Sequence, residues 1–99
     1  KLIPKNMRIP SIGETEFEKD PVVHLKLFHP CSGWTWYITE YSAEDQLCFG
    51  LIDGHEPELG YFSLEELGSL VIRGLKVERD LHWTPVKLSI LEGESSTRR

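Results

Sequence analysis

The sequence has little of what several classes of protein depend on. Among its 99 residues are only two cysteines and one methionine, and no apolar run approaches the roughly 18 residues that a membrane helix needs. Cys31 and Cys48 are too few for a disulfide framework and fit free thiols in a reducing compartment. The sequence does not show the charged start and following apolar core that indicate a signal peptide. We therefore predict a cytoplasmic protein that does not enter a membrane.

Positive charge is also scarce. Eleven Lys and Arg stand against sixteen Asp and Glu, which gives a formal net charge of −5. A protein that binds nucleic acid mainly through its phosphates needs clustered cations, so nucleic acid is not the expected partner. There is no Cys-x-x-Cys pair, glycine-rich phosphate loop or Gly-x-Ser-x-Gly elbow, and no base is expected beside either cysteine. We predict neither a cofactor nor a metal.

The length and the proline pattern predict one domain with two irregular ends. Ninety-nine residues suit a single core. Three prolines in residues 1–21 indicate an irregular N-terminal arm. Residues 22–91 carry the patterns of a single α+β domain, and the polar stretch 92–99 is typical of a disordered tail.

Alternation of apolar and polar residues predicts a small antiparallel sheet of three to five strands. The alternating segments are 22–28, 34–42 and 46–53, with shorter candidates at 58–63, 75–83 and 86–91. Ser63 and Glu66 have the spacing of a capping box, so one short helix over 64–71 is predicted to pack on a face of the sheet.

A hairpin that turns at residues 42–45 sets the predicted register. It places Trp36 opposite Leu51 and Ile38 opposite Phe49, so that these four side chains form one dry layer. A slip by one residue would mix the two faces. The expectation of a function without catalysis depends on this layer, because it leaves the polar groups scattered around the outside.

The same register makes two further predictions. Tyr37 lies across from Gly50, where an aromatic ring can cover the bare backbone. Cys48 lies across from Thr39, too far from Cys31 for the approach of about 7 Å between Cα atoms that a disulfide needs.

One arginine interrupts an otherwise apolar strand face. Arg79 follows the alternating Leu75 and Val77, and a guanidinium in that position needs a carboxylate partner. Glu40 is predicted to form a structural ion pair with Arg79, since it follows Ile38 on the same face. Glu58 is the alternative partner.

A cluster of polar residues suggests an alternative function, a catalytic or metal-dependent site. Asp80 and His82 are two residues apart on a predicted strand, so both side chains share a face. With Glu40 or Glu58 they could form an acid–base or metal-dependent site of a small enzyme. An exposed strand face with a surface ion pair explains the same residues, so the sequence favours a protein without catalytic activity.

The aromatic residues are the best candidates for a partner surface. Tyrosine and tryptophan at a surface with an acidic rim are typical of protein-binding hot spots. The alternative is that the N-terminal arm covers the tyrosines of the second strand. The predicted binding residues are Trp34, Tyr37, Tyr41, Glu56 and Tyr61.

Several motifs together resemble one family. They are Trp36 with Thr39-Glu40, Phe49-Gly50, Glu58-Leu59-Gly60-Tyr61, Ser63-Leu64-Glu65-Glu66-Leu67 and Glu78-Arg79-Asp80-Leu81-His82. At this spacing, over residues 22–85, the chain resembles the bacterial family catalogued as domain of unknown function 2958, whose members are encoded largely on plasmids, integrative elements and phages.

The resemblance implies a genetic context for the protein and implies no chemical reaction. It implies an accessory protein of a bacterial mobile genetic element, often encoded beside antirestriction genes. The predicted function is therefore protein–protein interaction, with antagonism of host defence as one such role. A small enzyme built on Asp80, His82 and Glu40 or Glu58 is the alternative.

Overall fold

The computed structural model describes residues 2–97, with side chains through residue 92, and it confirms a small α+β fold. The strands are β1 (Val22–Val23), β2 (Leu25–Phe28), β3 (Thr35–Ser42), β4 (Leu47–Asp53), β5 (Pro57–Ser63), β6 (Val71–Ile72), β7 (Leu75–Lys76), β8 (Glu78–Arg79) and β9 (Val86–Lys87). The helices are α1 (Leu64–Ser69) and α2 (Leu88–Thr97). Five strands form the main antiparallel sheet in the order β5-β4-β3-β2-β8.

The predicted register between β3 and β4 is wrong. Trp36 pairs with Ile52 and Ile38 with Gly50, one residue away from the prediction, and a bulge between Ile38 and Glu40 shifts the register again. The bulge inserts one residue that has no opposite partner. Alternation alone does not indicate such an insertion, because the pattern on each side of it is still regular.

The shifted register divides the core between two faces of the sheet. The first cluster contains Leu25, Leu27, Trp36, Ile38, Cys48, Phe62, Leu64, Leu67 and Val77. The second cluster contains Val23, Leu51, Leu88 and Leu91, with Tyr37, Trp83 and Val86 packed against it. Helix α1 supplies leucines to the first cluster and α2 to the second, so the sheet is covered on both faces.

The predicted single dry layer is therefore wrong. Trp36 and Ile38 lie in the first cluster, whereas Leu51 lies in the second. Phe49 is half-buried, and its ring centroid is 4.8 Å from that of Tyr61.

Gly50 is required for a different reason from the one predicted. A Cβ atom at this position would overlap the backbone carbonyl oxygen of Tyr37. The close approach is between two backbones beside the bulge, and the tyrosine ring packs elsewhere, against the second cluster. Glycine is the residue that permits such an approach.

The N-terminal arm, described from residue 2 to residue 21, packs against the sheet. Its Leu2, Ile3 and Ile9 contact the first cluster. The amide of Tyr41 donates to the carbonyl oxygen of Pro10 at 2.9 Å, so the arm runs beside the part of β3 that extends past the first residue of β2.

The last third of the chain differs most from the prediction. The proposed strand over 75–83 is divided into β7 and β8, and a tight turn with positive φ at Arg73 and Gly74 joins β6 to β7. The proposed strand over 86–91 ends after two residues, and α2 begins at Leu88. Leu88 and Leu91 are both buried, three residues apart, which is the helical spacing. Arg98 and Arg99 of the predicted tail lie outside the described residues, and the domain boundaries stay a prediction.

Candidate binding cleft

An open cleft of about 1170 Å³ lies between the N-terminal arm, helix α1 and the segment that contains β7 and β8. Its volume is somewhat above the 300–1,000 Å³ typical of pockets for small molecules. Its apolar lining comprises Leu2, Ile3, Pro4, Met7, Ile9, Tyr41, Ala43, Leu64, Val77 and Leu81. Leu81 is 74% exposed and Met7 36% exposed, so the cleft presents apolar side chains that the fold leaves uncovered.

Charged side chains surround this apolar lining. They are Lys5 and Arg8 on the arm, Lys76 and Arg79 on the opposite wall, and the carboxylates Glu65 and Glu78. Four cations against two carboxylates make the cleft locally positive in a chain of net charge −5. Cations on both walls can contact an anionic group between them.

Ser63 positions one wall of the cleft. Its hydroxyl accepts the amide N–H of Glu66 at 3.1 Å and caps α1, which confirms the serine half of the predicted capping box. The cap fixes where the helix begins. Leu64 then points into the first cluster, while Glu65 and Gly68 border the cleft.

Glu40 holds the arm that forms the other wall. One carboxylate oxygen accepts the amide of Gly13 at 2.8 Å, and the other accepts the amide of Thr15 at 2.9 Å and the Thr15 hydroxyl. Glu40 is only 4% exposed and Thr15 9% exposed. The bulge at residues 38–40 gives the carboxylate its position, so the feature that displaced the register also docks the arm.

Glu40, the predicted partner of Arg79, has hydrogen-bond partners in the arm. Both of its oxygens are occupied by the arm. Arg79 lies across from Leu27 at the far side of β2 and lines the cleft. The pair stays a prediction, and Glu58, the alternative partner, lies on β5 at the other edge of the sheet.

The residues of the alternative polar site are spread across the molecule. Asp80 follows β8, whereas Glu58 is on β5, and these strands are the two edges of the sheet, roughly 19 Å apart at about 4.8 Å per strand. Asp80 and His82 are not on a strand: one Asp80 oxygen accepts the backbone amide of His82 at 2.9 Å, and the other lies 3.8 Å from Lys26 Nζ. Among the described side chains, no group of three His, Cys, Asp or Glu could hold a metal ion.

The five predicted partner-binding residues occupy several separate places. Tyr37 contacts Trp83 on the second face, with ring centroids 5.7 Å apart, so the C-terminal segment rather than the arm covers it. Tyr41 lines the cleft beside the arm. Their roles in binding stay predictions, but Tyr37 and Tyr41 do not share a surface.

The other three are elsewhere. Trp34 is half-buried between Trp36 and His55, with centroid distances of 6.1 and 5.6 Å. Glu56 is exposed before β5, and Tyr61, 59% exposed, lies on the β5 edge. The cleft includes residues that the sequence did not single out, because its walls are distant in the chain.

The two cysteines are free, and one has a base beside it that the sequence did not indicate. His29 is buried, and its Nε2 donates to the carbonyl oxygen of Leu75 at 3.0 Å, since a carbonyl only accepts. Its Nδ1 is then an acceptor, 3.3 Å from the Cys31 amide and 3.6 Å from Cys31 Sγ. Cys48 is enclosed in the first cluster, and burial raises the pKa of its thiol to about 12.

Comparison with known proteins gives a family and no activity. No curated protein and no solved structure matches the chain, and none of the helices within residues 2–97 is long and apolar enough to cross a membrane. A family model described as "Protein of unknown function (DUF2958)" matches residues 3–92. This span includes the arm from Ile3 onward, the whole main sheet and all of the cleft lining except Leu2, so the chain belongs to that family.

Proposed function

We propose that this protein is a non-catalytic binding protein whose cleft accepts a segment of another protein. The observation that carries the proposal is the cleft itself, with exposed Leu81 and Met7 beside an apolar floor. Exposed apolar side chains that lie together typically mark interaction sites.

The position of the polar residues supports binding over catalysis. The sequence predicted a function without catalysis from a single apolar layer, and that layer is not present. A function without catalysis is supported instead by the distance between the candidate polar residues. Glu58 and Asp80 lie at opposite edges of the sheet, and both oxygens of Glu40 accept hydrogen bonds from the arm. Acid–base catalysis needs its groups within hydrogen-bond reach of one substrate.

The biological setting that we propose comes from the resemblance described above. It is that of an accessory protein of a bacterial mobile genetic element, with antagonism of a host defence protein as the role. A binding protein suits this role because occupying a site on a defence protein requires no chemical step.

Two matched variants test the proposal. Leu81→Asp places a charge in the cleft at an exposed position, and Leu59→Asp makes the same change on β5, where Leu59 is 50% exposed and outside the cleft lining. Captures from the host with the wild-type protein and both variants are compared by quantitative mass spectrometry. We expect one specific partner to be lost with Leu81→Asp and retained with Leu59→Asp. A partner that both variants retain equally would refute the cleft as the binding site.

A transformation assay tests the proposed antagonism of host defence. Transformation of a restricting host with unmodified plasmid should become more efficient when the wild-type protein or Leu59→Asp is expressed. Leu81→Asp should not have this effect. Equal efficiency with and without the wild-type protein would refute antagonism of restriction.

A further inference from the structure

We infer that the occupant of the cleft is an acidic amphipathic segment of the partner protein, with apolar side chains on one face and carboxylates beside them. This inference rests on the proposed function and adds the chemistry of the partner.

Charge complementarity carries the inference. The cleft has an excess of two positive charges, although the chain as a whole has an excess of five negative charges. Lys5 and Lys76 are exposed and stand on opposite walls, and the ammonium group of neither side chain has a hydrogen bond or ion pair with any described residue. Cations without intramolecular partners beside an apolar surface are available to carboxylates of a ligand, and such contacts govern orientation and the rate of association.

The apolar lining distinguishes a peptide from nucleic acid. The exposed Met7 and Leu81 of this lining offer contacts to aliphatic or aromatic side chains. Among the described residues that line the cleft, Tyr41 is the one aromatic residue, and it is half-buried. Binding of single strands without sequence preference needs several stacking rings along a positive groove, so the lining favours a peptide.

The size of the cleft agrees with a segment of protein. A volume of about 1170 Å³ is larger than a small ligand typically fills. An amphipathic helix that places residues i, i+3, i+4 and i+7 in an apolar groove is one of the recurring modes of peptide recognition. Its flanking carboxylates would then face Lys5 on the arm and Lys76 on the opposite wall.

The test uses the full chain and four labelled probes in fluorescence anisotropy. The first is a 16-residue peptide with leucine at the groove positions and glutamate elsewhere. The second has the same leucines with lysine in place of glutamate, the third has the glutamates without the leucines, and the fourth is a single-stranded oligonucleotide. The protein variants are Lys5→Glu with Lys76→Glu, which reverses two charges, and the control Lys87→Glu, which reverses one charge on β9, away from the cleft.

We expect the leucine–glutamate peptide to bind more tightly than the other three probes. The double variant should weaken its binding about tenfold, because two exposed attractions become repulsions, whereas Lys87→Glu should change it less than twofold. Raising the salt concentration should weaken binding to the wild type, since exposed charges are screened over about 10 Å at 0.1 M salt.

Three results would overturn the inference, and they differ in their consequence for the proposed function. Equal affinity for the leucine–lysine peptide would show that the cleft binds protein without regard to charge, which leaves the proposed function standing. Tighter binding of the oligonucleotide, lost in the double variant, would replace the peptide with nucleic acid. Binding of none of the four probes would count against both.

Discussion

Removal of the Glu40 carboxylate should release the N-terminal arm and destabilise the protein. The buried carboxylate accepts hydrogen bonds from the amides of Gly13 and Thr15 and from the Thr15 hydroxyl. Hydrogen bonds to charged groups contribute about 1.5–3 kcal/mol each. Gly13 is exposed, so water can replace its partner, whereas Thr15 is buried. Counting the two Thr15 bonds, we expect Glu40→Ala to lower the free energy of unfolding by about 3–6 kcal/mol.

Two assays measure this effect at different levels. Urea unfolding measures the global loss of stability, and hydrogen exchange measures release of the arm. The amides of Glu16 and Glu18, which donate to Gly13 and Thr15, should lose protection more than those of β4. Glu40→Gln keeps the size of the side chain and one acceptor oxygen, so it should cost less, about 1.5–3 kcal/mol.

A carboxylate in the same arm provides the control. Glu14 is exposed and accepts the amide and the hydroxyl of Ser11, so Glu14→Gln should change stability less than Glu40→Gln. The reasoning is refuted if Glu40→Ala costs under about 1 kcal/mol and arm exchange is unchanged, because the carboxylate would then not be what docks the arm.

Three further predictions follow from individual positions. Gly50→Ala should destabilise the protein strongly in urea unfolding, because the new methyl group would overlap the backbone of β3. Gly68→Ala in α1, where the new methyl group has open space, should raise the free energy of unfolding by up to about 1 kcal/mol. A Gly68→Ala variant less stable than Gly50→Ala would contradict the register between β3 and β4. Iodoacetamide at pH 8 should modify exposed Cys31 and leave Cys48 unmodified, because burial raises the pKa of the Cys48 thiol to about 12. Mass spectrometry of peptides measures the labelling of each cysteine. Equal labelling of both would show that the first cluster opens readily. Burial lowers the pKa of His24 below 6.5, so the unfolded state binds more protons near that pH; stability should fall as pH falls through 6.5, and a His24→Gln variant should lose less over the same range.

The strands that contain regular alternation could be predicted from the sequence. The segments 22–28, 34–42 and 46–53 form strands, with a break at His24 in the first, because each pattern reflects a local half-buried surface. The start of α1 was predictable for a similar reason: Ser63 caps it through a bond within four residues. Cys31 and Cys48 were correctly expected to be free.

The candidate site could not be predicted to the same extent. Its walls are residues 2–9, α1 and residues 76–81, and no pattern within one segment shows that these meet. His29 likewise reaches Leu75 across 46 residues, so its orientation toward Cys31 has no signal in the local sequence.

What the sequence determined by itself is the set of local structures: the alternating strands, the cap of α1 and the acidic balance of the chain. The tertiary structure decided which faces these structures bury. One bulged residue at positions 38–40 separated Leu51 from Trp36, placed Glu40 against the arm and thereby built one wall of the cleft. The physical reason is that a strand alternates with period two, so a single inserted residue reverses every side chain beyond it while leaving the local pattern on either side intact.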